Sequence, residues 1–102
     1  MATDITNGKG GSIIVSETPA QTLIVPALGT DGGHKTARHL KLWNEGDNTV
    51  YVVTNAAVAD YAEANAVAIP AGKDFEFWAN PMRHFVAACA TGETSTLNWG
   101  AE

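Results

Sequence analysis

The chain has one cysteine, Cys89, so no disulfide can close within it. That suits synthesis in a reducing cytosol. Basic residues are scarce. Six Lys and Arg stand against eleven Asp and Glu, a formal net charge of −5. Such a balance argues against a track for nucleic-acid phosphates and favours solubility. No apolar run approaches the roughly 18 residues of a spanning helix, so no membrane partner is expected. The opening "MATDITNGKGGS" lacks the basic-then-apolar layout of a secretory signal, and none is expected. Neither an internal repeat nor a low-complexity tract is present. "GKGGS" lacks the spacing of a phosphate-binding loop, and no strand precedes it.

What is present fits one domain. A chain of 102 residues buries roughly two-thirds of its unfolded surface, enough for one modest core. Residues 1–35 are poor in aromatics and hold Gly8, Gly10, Gly11, Gly29, Gly32 and Gly33, which punctuate two apolar runs, "SIIVS" and "TLIV". This third reads as an N-terminal arm or as peripheral strands. As an arm it would add to a partner's sheet edge, with Ile13, Val15, Leu23 and Val25 as anchors. From residue 36 the pattern is that of strands. Leu40 and Leu42 alternate with Lys41 and Trp43, and Val50 and Val52 with Tyr51 and Val53. The first of each set should face the core, and the turn around Gly46 predicts a hairpin. "TNAAVADYAEANA" reads as irregular. "AVAIPAGKDFEFWA" predicts strand, turn and strand, with Phe75 and Phe77 on one face. "RHFVAACA" is apolar on both parities, which marks a central strand. After the turn in "TGET", Leu97 and Trp99 share a face. The expected fold is all-β: a single antiparallel β-sandwich or jelly-roll-like barrel over residues 36–102, with an extended N-terminal arm.

His34, His39, His84, Met82 and Cys89 are the atom types of a copper site. Their order is reversed from the usual one, and His84 and Cys89 have opposite strand parity, so they point to opposite faces. No metal or cofactor is expected, and Cys89 reads as a small core residue. Cys89 with His39 or His84 lacks any local nucleophile signature. Glu76 lies between Phe75 and Phe77, but alternation turns it away from both rings. No catalytic residue is assigned and the chain is not read as an enzyme. The large aromatics Trp43, Tyr51, Trp78 and Trp99 are the remaining candidates. Exposed, they would stack on glycans; against a neighbouring subunit they would form an interface, where Trp and Tyr are enriched. The interface reading is preferred.

From Leu42 to Trp99 the succession "LWNEGDNTVYVV", "AIPAGKDFEFWA", "HFVAACATGETSTLNW" resembles small virion proteins of tailed bacteriophages. In these an Asn-x-Gly hairpin, a Pro-Ala-Gly turn and a last hairpin built on Ala-Thr-Gly recur on a β-sandwich. Pro70, Ala71 and Gly72 match the central turn, and Ala90, Thr91, Gly92 and Thr94 the last one. These positions are structural. The resemblance implies a virion component, foremost a capsid decoration (cement) protein bound outside a phage head, partnered by the major capsid protein or another virion protein and assembled as a homotrimer. Its glycine-rich first third is unmatched, although decoration proteins often reach across the shell with such an arm. The runner-up is a head-fibre base, tail or head–tail junction component. A reading from another class is a carbohydrate- or host-receptor-binding module with Trp43 and Trp78 in an open groove.

Overall fold

The computed structural model of the chain describes residues 10–23, 37–55, 58–82 and 84–101, with side chains described except at 20–23, 37–38, 79–82 and 84. These residues form eight strands: β1 (Gly10–Val15), β2 (Ala20–Leu23), β3 (Ala37–Asn44), β4 (Val50–Thr54), β5 (Val67–Ile69), β6 (Asp74–Met82), β7 (His84–Ala88) and β8 (Ser95–Ala101). Short 3-10 turns, Val58–Asp60 and Glu63–Asn65, occupy the alanine-rich stretch between β4 and β5. One sheet has the order β1-β8-β3-β6 and the other β2-β7-β4-β5. Every pairing is antiparallel. Strands from both ends of the chain are interleaved in this order, and that is a jelly roll.

Period-two alternation decides what is buried. Leu40, Leu42, Val50 and Val52 face the core, none more than 1% exposed. Leu97 and Trp99 join them from β8, and Phe85 meets the Trp99 ring edge-on at 6.4 Å. The doubly apolar β7 lies between β2 and β4, with Phe85 to Ala88 buried on both parities.

The expected hairpin over Leu40–Val53 is not one. β3 belongs to the first sheet and β4 to the second, so residues 45–49 cross the sandwich instead of pairing its neighbours. Asn44 holds the crossing. Its side chain is buried, its Nδ2 donates to the carbonyls of Asn48 (2.7 Å) and Ile69 (2.8 Å), and its Oδ1 accepts from Ser95 Oγ (2.6 Å). Gly46 is required by closeness: a Cβ there would lie 2.5 Å from the Thr96 nitrogen and 2.7 Å from Ser95 Cα, and would strike the Ser95 hydroxyl. The turns at Pro70–Gly72 and Thr91–Gly92 also connect strands of different sheets, β5 to β6 and β7 to β8. At Gly72 the reason for glycine is conformational, since its φ is +76°.

The expectation for residues 1–35 is an arm or peripheral strands, and their described part forms the strands β1 and β2. β1 pairs with β8 from Gly10↔Gly100 to Val15↔Ser95, and Ile13 and Val15 are core residues at 5% and 0% exposure. β1 and β2 are edge strands, so the described part of this third is built into the sandwich. The rest of residues 1–35 lies outside the described residues.

Cys89 follows from the same packing. Its backbone N–H donates to Ser16 O (2.8 Å) and its Sγ–H to Val15 O (3.6 Å). Burial, with a smaller contribution from Glu93, pushes the thiol pKa up. A buried thiol held in its neutral form is a poor nucleophile. The native protein is therefore expected to resist a thiol-reactive chromophore and to release one equivalent only when unfolded in guanidinium. Rapid labelling of the folded protein would contradict this placement.

Candidate binding face

β3 and β6 run antiparallel with His39 opposite Trp78, Lys41 opposite Glu76 and Trp43 opposite Asp74. Alternation sends Leu40 and Leu42 inward, with Phe77 and Phe75 as their cross-strand partners. Phe77 packs on the core, whereas Phe75, tilted against it at 4.8 Å, stays 42% exposed beside the sheet edge. The other parity makes an outer face of His39, Lys41, Trp43, Asp74, Glu76 and Trp78.

These six side chains are organised. The His39 ring stacks on the Trp78 indole with centroids 4.1 Å apart and planes 16° from parallel. Its Nε2–H donates to Glu76 Oε1 at 2.7 Å, because an ionised carboxylate only accepts. Lys41 Nζ lies 3.5 Å from Asp74 Oδ2 and 5.2 Å from the centre of the Trp43 ring. The indole of Trp78 nevertheless remains 72% exposed. Exposed ion pairs like these contribute about 0–1 kcal/mol to stability. Burying a large aromatic would contribute far more than leaving it in water. Fold stability alone gives no reason for this arrangement.

At one end the face runs into the crossing around Asn44. The Asn44 N–H donates to Lys73 O (2.9 Å) and the Gly72 N–H to Asn44 O (2.8 Å), which draws the β5–β6 turn alongside β3. The result is an open depression lined by Trp43, Asn44, Glu45, Gly72, Lys73 and Asp74. Asn44 thus braces the floor of the face as well as the crossing.

Among the residues expected from sequence to be partner contacts, Trp43 and Trp78 come together on this face. Three others are corrected. Ile13, Val15 and Trp99 point into the core, the last at 2% exposure, because each shares its strand parity with other inward residues. Tyr51 is half-buried on β4 in the other sheet. Leu23 ends β2 and pairs with His84, but its side chain lies outside the described residues, as does the whole of Val25. His34 also lies outside them, and the side chains of Met82 and His84 are not described. Among the described residues no three of His, Cys, Asp and Glu gather at one point. Sequence reasoning does not single out His39, Lys41 and Asp74 as partners of the tryptophans. The signal is there, in the matching alternations His-x-Lys-x-Trp and Asp-x-Glu-x-Trp. What it lacks is the register that lays one run beside the other.

No family model matches this chain, and no curated protein matches it. Among solved structures, the crystal structure of PirA is similar with a TM-score of 0.58, over 93% of this chain and 94% of that one, at 10% sequence identity. At that identity the similarity shows a shared fold and nothing of function.

Proposed function

We propose that this chain is a non-enzymatic structural component of a bacteriophage virion, a capsid decoration protein that adds to the outside of the head and stabilises it. The virion setting comes from the sequence resemblance over Leu42–Trp99. The observation that supports attachment is Ile14. It is 77% exposed on β1, whose other side has no strand among the described residues. An edge strand offers main-chain donors and acceptors to a neighbouring chain, and an aliphatic side chain beside it supplies an anchor. The anchors expected at Ile13 and Val15 are turned inward, so the outward Ile14 takes that role.

The test is co-sedimentation with undecorated heads. Ile14→Asp is expected to leave the thermal melt unchanged and to weaken binding at least about tenfold. Equal binding by Ile14→Asp would remove β1 as the attachment edge. Binding of the wild-type chain to purified tails in place of heads would move it to a tail or head–tail junction.

A further inference from the structure

We infer that the outer face of β3 and β6 is a saccharide-binding shelf, on which Trp78 stacks against a pyranose ring while Glu76, Asp74 and Lys41 meet its hydroxyls. This does not rest on the virion reading. β1 and β6 are opposite edges of the first sheet, so head attachment and the shelf fail or stand separately.

The shelf has the chemistry of a polyol site. One face of the Trp78 indole is backed by the His39 ring, and at 72% exposure the other is open to solvent. A π-face carries negative charge density, and the C–H bonds along one side of a pyranose ring present the complementary positive edge. His39 also holds Glu76 through one carboxylate oxygen. That orients the group and leaves a second oxygen to accept from a hydroxyl. Lys41 supplies donors from the position opposite Glu76. Sugar hydroxyls both donate and accept, so a row of carboxylate, ammonium and indole suits them.

Charge separates this ligand from others. The carboxylates of Glu76 and Asp74 repel sulfated, phosphorylated or sialylated glycans, which points to a neutral saccharide. A cationic side chain from a basic protein would suit those carboxylates, but it would meet Lys41, which stands at the centre of the face. Length is set by the register. Trp78 lies level with His39 and Trp43 level with Asp74, so the two indoles are four residues apart along the strands, roughly 13 Å. That exceeds one pyranose ring and fits an oligosaccharide.

The experiment is a titration of the full chain with short neutral oligosaccharides of increasing length, read by tryptophan fluorescence and by the indole N–H resonances in a heteronuclear spectrum. Saturable shifts at the Trp78 indole are expected. Trp78→Ala should weaken binding about tenfold while the protein still melts cooperatively, its midpoint lowered by only several degrees for the lost stack on His39. Trp43→Ala should weaken only the longer oligomers, and Glu76→Gln should weaken all of them. Absence of saturable shifts with any oligomer would overturn the inference, as would binding indifferent to Trp78→Ala. An oligo-arginine peptide that shifts Trp78 where no saccharide does would reassign the shelf to a basic protein partner.

Discussion

A chain shortened by residues 1–18 is expected to show no cooperative thermal transition by near-ultraviolet circular dichroism. β1 would be gone, with six paired positions along β8. The core would lose Ile13 and Val15, each stabilising the fold by about 1.5–3 kcal/mol through burial. Cys89 would lose both of its carbonyl acceptors, Ser16 O and Val15 O. Trp99 packs beneath β1, with its Nε1 only 3.1 Å from where a Gly11 Cβ would sit, so its indole would be uncovered at a new sheet edge. A domain of this length is stable by roughly 5–15 kcal/mol, and these losses together take up much of it. A sharp melt close to that of the full chain would show that β1 is a dispensable arm.

The second large effect belongs to Asn44. Asn44→Ala is expected to lower the stability by about 3–5 kcal/mol, because it orphans buried partners in addition to opening a small cavity. The Ile69 carbonyl and the Ser95 hydroxyl both lie in buried contacts with it. The Gly46 N–H, 3.1 Å from Asn44 Oδ1, would lose its acceptor as well. Asn48 provides the control from the same loop. Its amide donates to Thr94 O at 2.8 Å in an exposed contact, so Asn48→Ala should cost only about 0.5–1.5 kcal/mol. Urea denaturation of both variants checks the contrast. Equal shifts in midpoint would mean that Asn44 is an ordinary turn residue and not the brace between the sheets.

The same brace links fold to face. Asn44 fixes where β3 ends, where the β5–β6 turn docks and hence where Trp43 and Asp74 stand relative to Trp78. A loosened crossing should therefore weaken the longer saccharides before the shorter ones, since only the former need both indoles.

Alternation along each strand makes the inward and outward sets legible in the sequence. It places Leu40, Leu42, Val50 and Val52 inside, Phe75 with Phe77, and Trp99 with Leu97. The run Phe85–Cys89, apolar on both parities, marks a strand enclosed by its neighbours. These properties are local: a period of two tells each side chain which face it takes. It is silent on which strand lies alongside. Two alternating runs around a glycine-bearing turn serve equally as a hairpin in one sheet and as a crossing between two. Only burial of the Asn44 amide between Ile69 and Ser95 decides for the crossing. "SIIV" is apolar on both parities, so its sequence cannot say that Ile13 and Val15 enter the core while Ile14 faces water. Pairing with β8 settles that. The shelf has the same origin. Its residues come from β3 and β6, more than thirty positions apart in the His39–Glu76 pair, and a contact at that separation is specified by the packing of two sheets, which no single stretch of chain encodes.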